Sequence, residues 1–343
     1  MKKNFLYILL FILLAVATVW MLQNGEISTL KSDLKNFALT DTGIVTKIML
    51  VDKDGNKVIL ERKGSNSWRV NNKYEVNQAK MNTLLETMKT LEVKSPVPSK
   101  DVNSVVIDLA TRHILVRIFK GEDMIKSYFV GVQTADQLGT YMLMENSKSP
   151  FIMHVPGFNG YLNVRYFTDE LDWKTRKVFD SKPEEIEFIK VDYPAMPHRS
   201  FIINNDGGQL SLIPLAEKEM QAPVDRRLLT FYVASFRSIM YEGYDRAFDM
   251  HKADSVAAMP PYCIMTVKNK NGVKNTLRIF YKGIDERTMQ QFDEKTMKPL
   301  SVDPERYFAL LNDEKNLVII QQFVFGNLLR GYDDFLLNDK AKK

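Results

Sequence analysis

The sequence predicts an α+β protein in which an N-terminal transmembrane helix is followed by a tandem-duplicated domain of antiparallel sheets with helices on one face. Three observations lead there. "FLYILLFILLAVATVWML", Phe5 to Leu22, carries no charge. Beyond it, short alternating runs rich in β-branched residues are punctuated by Gly, Asn and Asp turns. Two amphipathic segments far apart in the chain repeat one apolar stripe at one spacing.

Taking the elements in order, the opening apolar run of eighteen residues rises about 1.5 Å per residue as a helix, close to what roughly 30 Å of hydrocarbon requires. Lys2 and Lys3 precede it and Gln23-Asn24-Gly25-Glu26 follow. The positive-inside rule then keeps the N-terminus in the cytoplasm, with the bulk of the chain on the periplasmic side of the inner membrane. Ala15-Val16-Ala17 also fits a small-x-small cleavage site, so removal after Ala17 is the alternative; the apolar run continues past it to Leu22, unlike a cleaved signal.

"IVTKIMLVDKDGNKVILERKGSNSWRVNNKYEVN" reads as three strands separated by Asp54-Gly55-Asn56 and Lys63-Gly64-Ser65-Asn66. Asn77 then caps a helix whose Met81, Leu84, Leu85, Met88 and Leu91 form one stripe. The arrangement recurs. "EIEFIKVDY" and the hairpin "HRSFIINNDGGQLSLIPL" lead to Asp225, which caps the helix "RRLLTFYVASFRSIM". Counted from the caps, Leu229, Tyr232, Val233, Phe236 and Ile239 match the first stripe position by position. "HILVRIFKG" pairs with "NTLRIFYKG", and "FIMHVPGFNGYLNVRYF" more loosely with "LVIIQQFVFGNLLRGYDDF". The expected organisation is a cytoplasmic stub and anchor (1–24), a linker (25–40), a first repeat (41–182), a second repeat (183–338) and a basic tail (339–343), with the joint near Asp180-Ser181-Lys182-Pro183.

The chemistry-bearing residues are sparse. A net charge of +5 without a concentrated basic face argues against nucleic acid. A single cysteine, Cys263 in "PPYCIMTV", permits no intramolecular disulfide and reads as a small buried hydrophobe. The four histidines, His113, His154, His198 and His251, form no local zinc pattern. No serine elbow, Walker loop or GxGxxG occurs, and the neighbouring carboxylates at Glu184-Glu185-Glu187 and Asp333-Asp334 read as solvated faces. No cofactor, metal or catalytic residue is expected. The richest surface candidate is "VPGFNGYLNVRYF", where Phe158, Tyr161, Arg165 and Tyr166 surround two glycines, a composition suited to a protein, peptide or sugar contact. The competing reading buries these rings under the bend.

In "VTKIMLVDKDGNKVILERKG", "SWRVNNKYEVN" and "GTYMLMENSKSPFIMHVPG" the chain resembles a bacterial family of domains of unknown function, the one numbered 4340, over a span from about Asp41 to the C-terminus. The resemblance implies one N-terminal membrane anchor and an association with auxiliary components of ATP-binding-cassette transport systems, including those of gliding motility. It implies no catalytic residues. The expectation is therefore a single-pass inner-membrane protein whose periplasmic part is a non-enzymatic binding or assembly module with an envelope or transporter partner. A periplasmic glycan- or peptide-binding domain, or a hydrolase with an unrecognised site between the repeats, is the alternative.

Overall fold

The computed structural model describes residues 36–216, 223–245, 250–286, 288, 292, 297–312 and 314–337. The expected anchor, Phe5 to Leu22, and most of the linker lie outside the described residues, and among those described no helix is long and apolar enough to cross a membrane. The chain divides into two compact units, one ending at Thr175 and one beginning at Arg176. Arg176 belongs with the second because Lys177–Phe179 pairs with Ile239–Met240, which moves the joint upstream of Asp180–Pro183.

In the first unit β1 (Lys47–Asp52), β2 (Lys57–Arg62), β3 (Trp68–Val70) and β4 (Tyr74–Glu75) precede helix α1 (Gln78–Thr90). Next come β5 (Glu92–Pro96), helix α2 (Val102–Thr111), β6 (Ile114–Lys120), β7 (Asp123–Gln133), β8 (Thr140–Met144), β9 (Phe151–His154) and the short α3 (Glu170–Trp173). Its sheet runs β4-β3-β2-β1-β6-β7-β8-β9-β5, antiparallel throughout. Asp52 shapes the first hairpin: its Oδ1 accepts from the N–H groups of Asp54 and Asn56, and Gly55 takes the left-handed φ of +85° that the turn demands.

The second unit contains β10 (Lys177–Phe179), β11 (Ile186–Asp192), β12 (Phe201–Asp206), β13 (Gln209–Pro214), α4 (Arg226–Ala234), β14 (Ile239–Met240) and β15 (Gly243–Tyr244). They are followed by α5 (Met250–Ala258), β16 (Cys263–Asn269), β17 (Lys274–Gly283), β18 (Val302–Leu311), β19 (Val318–Gln321) and α6 (Gln322–Phe325). The sheet order is β13-β12-β11-β16-β17-β18-β19-β15, again antiparallel, with β10 and β14 forming a separate ribbon. Local closures follow one scheme in both units. The cap residue's N–H donates to an aromatic residue's carbonyl, Asn77 to Trp173 and Asp225 to Phe335, and the lead-in segment donates near the helix C-terminus, Leu39 to Met88 inside α1 and Ser181 to Phe236 just beyond α4.

Helix α1 buries Met81, Leu84 and Met88 against Trp68, Ile48 and Leu50, and Leu91 completes the stripe at its C-cap. Helix α4 buries Leu229, Tyr232 and Val233 in the second core. It stops at Ala234, earlier than "RRLLTFYVASFRSIM" suggested, because Ser238 takes a left-handed φ of +59° and Ile239–Met240 turns into a strand.

Helices cover both faces of each sheet, not one. In β7, Tyr128 and Val130 join the α1 core while Phe129 packs with Val105 and Leu109 of α2. In β17 and β18, Ile279 and Ala309 face the α4 core while Phe280 and Phe308 meet Val256 of α5. Successive side chains of a strand point to opposite faces, so a run apolar at consecutive positions needs a cover on each side. The motif pairing of "HILVRIFKG" with "NTLRIFYKG" also shifts: the first is β6, bonded to the opening strand, and the second is β17, one strand farther on. Neighbouring strands share one alternation, so the motif could not fix the match. Finally, Phe37 and Leu39, placed in the linker by sequence, are buried in the first core, where Lys126 Nζ donates to the carbonyls of Asn36 and Ala38.

Candidate functional site

The loop after β9 carries the residues singled out by sequence. Gly157, with φ of +78°, turns the chain, and Phe158 N–H donates to the Val155 carbonyl at 3.0 Å. Leu162 N–H donates to Thr140 Oγ1 at 2.7 Å and seats the loop on the sheet. Asn163–Arg165 is one 3-10 turn, and its pitch decides which rings go in. Leu162 and Tyr166 enter the core.

Phe158 and Arg165 meet at the surface, the guanidinium carbon 4.1 Å from the ring centroid. Arg165 Nη1 donates to Thr87 Oγ1 at 2.6 Å, and that hydroxyl donates onward to the Thr83 carbonyl. The guanidinium is thus fixed between ring and helix. Partial burial lowers the Arg165 pKa from its ordinary value, yet an arginine stays charged in proteins. Phe158 keeps 38% of its surface exposed. Beside them Asn82, Thr83 and Glu86 of α1, together with Arg165, line a shallow depression of about 440 Å³. Chemically it offers a cation, a carboxylate and an amide next to an open aromatic ring, a set suited to recognition.

Tyr166 stands apart from this pair. It is buried with its hydroxyl 3.5 Å from that of Tyr128, and burial pushes its pKa up to about 12. Tyr161 is half-buried. The bend reading therefore describes Tyr166, and the surface reading describes Phe158 with Arg165.

His113, Glu185, Glu187, Asp334 and Cys263 have structural employment. His113 Nδ1 lies 2.7 Å from the Leu109 carbonyl and the ring stands edge-on to Phe129. Glu185 accepts from Lys182 N–H and Asp334 from Gly331 N–H, each closing a 3-10 turn, while Glu187 pairs with Lys268 at 2.8 Å. Cys263 is buried, and burial pushes its thiol up to about 12. Among the described residues no group of three or more His, Cys, Asp or Glu is placed to hold a metal ion.

Two surface features escaped sequence reasoning. Phe323 is 94% exposed beside a depression of about 470 Å³ lined by Pro304, Glu305, Arg306, Gln321 and Gln322. Tyr262, Tyr281 and Tyr307 gather into one cluster, with centroid separations of 4.7, 5.8 and 6.1 Å. The available signal was alternation: Tyr281 continues the inward series Leu277, Ile279, and Tyr307 precedes Ala309 and Leu311.

A family model described as a domain of unknown function (DUF4340) matches residues 68–259, a narrower span than the resemblance read from the sequence. No curated protein matches, and no solved structure does.

Proposed function

The chain belongs to the family of domains of unknown function DUF4340, and from that premise we propose that it is a single-pass inner-membrane protein whose periplasmic part is a non-enzymatic binding or assembly module. In this reading Phe5–Leu22 is the retained anchor, the two units descend from a tandem duplication, and the partner is an envelope or transporter protein. The duplication draws support from the strand order common to both sheets and from the matched cap and lead-in hydrogen bonds. Residues 23–35, fully extended, reach at most about 45 Å. A module so tethered meets a membrane partner at raised effective concentration.

The observation that carries the binding role is the Arg165–Phe158 pair. An arginine already held on an aromatic ring and bonded to Thr87 loses little freedom when a partner closes over it. Arginine and aromatic residues are the ones enriched at the energetic centres of interfaces. The depression along Asn82, Thr83 and Glu86 supplies polar groups around that centre.

The test is brief cross-linking in native membranes, mild detergent extraction and identification of what co-purifies with the full-length protein. Defined envelope or transporter subunits should be recovered, reduced about thirtyfold by Arg165→Ala, equivalent to the roughly 2 kcal/mol of an interface hot spot. They should be lost when Phe5–Leu22 is exchanged for a cleavable signal. Recovery of the protein alone, or of subunits unaffected by either change, would overturn the reading.

A further inference from the structure

We infer that the free edge of the second unit's sheet, strand β13, pairs with the same strand of a second copy of this chain, antiparallel about Ser211, so that two sheets become one. The pairing goes beyond the binding role proposed for the Arg165–Phe158 pair and uses neither residue.

A sheet edge offers unpaired N–H and C=O groups, and proteins protect such edges with short strands, charges, prolines or bulges. Three of the four edges here are protected. β4 and β15 have two residues each. β5 carries Glu92, Lys94 and Pro96, and its register on β9 shifts between Val93 and Ser95. β13, "QLSLIP", runs for six uncharged residues in unbroken register with β12. Ile213 on it is 45% exposed and Leu215 just beyond it 39%. In the first unit the corresponding strand, β3, is covered by β4 through Arg69–Glu75 and Val70–Tyr74. Among the described residues no strand covers β13.

The hairpin fixes which groups face outward. Gly207 and Gly208, at φ of +59° and +97°, form a two-residue turn, so Asp206 and Gln209 are a hydrogen-bonded pair. Asn204 with Ser211 and Ile202 with Ile213 continue the series, and Leu215 N–H donating to the Ser200 carbonyl extends it. Leu210 and Leu212 therefore turn their N–H and C=O away from β12. Pro214 turns out a carbonyl alone.

That pattern is complementary to itself, as a twofold contact requires. Antiparallel about Ser211, Leu210 exchanges both of its main-chain bonds with the partner's Leu212, and Leu212 with the partner's Leu210. Pro214 comes opposite the partner's Gly208, whose N–H is already donated to Asn205 Oδ1, so the pairing stops without stranding a donor. Leu215 comes opposite the partner's Gly207, and at both turn glycines the space a Cβ would occupy has nothing within 4 Å. The exposed leucine thus meets a turn that carries no side chain. Like charges directly opposite one another destabilise paired strands, and β13 has none to oppose. A register two residues farther on would set Pro214 against the partner's Leu210 and leave that carbonyl without a donor. The proline, the glycine turn and the uncharged centre fit one another only when the second strand is β13 again, which selects a second copy over an unrelated strand.

Disulfide trapping of the full-length protein in an excess of detergent micelles tests the register. Ser211 and the partner's Ser211 form a non-hydrogen-bonded pair with Cα atoms about 4.5 Å apart, inside the roughly 4.4–6.8 Å that a disulfide spans. Both Ser211 and Gln209 are exposed, and the native Cys263 is buried. Under mild oxidation Ser211→Cys should yield a covalent dimer. Gln209→Cys, whose two copies stand about 13 Å apart along the strands, should yield at least tenfold less. In sedimentation, Ser211→Lys should weaken the dimer about threefold to fivefold by setting like charges opposite, with Cys263 still protected as a check on the fold. A monomer at every concentration, equal trapping at 209 and 211, or a dimer indifferent to Ser211→Lys would each overturn the inference. Co-purification that depends on Arg165 is a separate readout, so loss of the dimer leaves the binding-module reading standing.

Discussion

The two units share a strand order but place their aromatic rings differently. In the first, Phe37 packs edge-on to Tyr128 and Phe151 at 5.8 and 6.2 Å, Tyr166 closes on Tyr128 at 6.5 Å, and all four rings are buried. In the second, the comparable interior is filled by Phe201, Tyr232, Phe236 and Phe335, while Tyr262, Tyr281 and Tyr307 sit past its edge. The difference follows from what crosses the end of the sheet: a seated loop in one unit, a short helix in the other. Burial of a strand's apolar face is thus decided by the connection laid over it as much as by the strand.

The largest expected effect tests whether the two cores stand separately. Trp68 is buried against α1, with Arg62 stacked 4.6 Å from its ring. Trp68→Ala should destabilise the first unit by about 3–5 kcal/mol. In urea, emission from buried Trp173 reports the first unit, and reactivity of buried Cys263 reports the second. The first transition should move to lower urea and the second should hold. Equal displacement of both would break the comparison of two self-contained cores.

Next in size is an alkaline asymmetry. Burial raises the pKa of Tyr193, Tyr232, Tyr262, Tyr307 and Cys263 in the second unit, and of Tyr128, Tyr141 and Tyr166 in the first. A raised folded pKa means the folded state keeps the proton longer. The stabilisation is therefore complete below the unfolded pKa, about 8.5 for cysteine and about 10 for tyrosine, and is lost as pH rises through the folded values. Cys263 and Tyr307 reach about 12. Cys263 alone should cost the second unit on the order of 3 kcal/mol between pH 8.5 and 11, so that unit weakens ahead of the first, with Cys263→Ala delaying the loss. Urea midpoints followed by Trp173 emission and by hydrogen exchange of β16 amides would check the order.

How much of this was written locally can be judged from particular residues. The α1 stripe was legible because 3.6-residue periodicity is a local property, and Met81, Leu84 and Met88 went where it pointed. The turn at Asp52–Asn56 was legible because glycine, aspartate and asparagine carry their own geometry. Strand equivalence was not, since β6, β16 and β17 share one alternation and only long-range pairing tells them apart. The two-sided sheets were signalled by consecutive apolar residues such as Tyr128-Phe129-Val130, whose cover comes from α2, some twenty residues earlier. At the candidate site Phe158 and Arg165 share a loop and could be found together. Tyr166 could not be separated from them without the 3-10 turn that directs it inward, and Tyr262, Tyr281 and Tyr307 meet only through pairing across three strands.

The smallest expected effect sharpens the comparison at matched positions, the two N-caps. Asn77 Oδ1 accepts one bond, from Lys80 N–H at 3.2 Å. Asp225 Oδ1 accepts two, from Arg227 N–H at 2.9 Å and Leu228 N–H at 3.1 Å. Both caps also donate their own N–H to the closing aromatic carbonyl, a bond that alanine retains. Only the side-chain term differs. A carboxylate adds a favourable interaction with the positive end of the helix, worth about 0.3–1 kcal/mol at an exposed site. Asn77→Ala should therefore cost about 0.5–1 kcal/mol and Asp225→Ala about 1–2 kcal/mol, each in its own unit. High salt should narrow the gap by screening the carboxylate. Equal costs at low salt would mean that the charge at Asp225 contributes nothing beyond its geometry, and that the two closures are energetically as well as topologically alike.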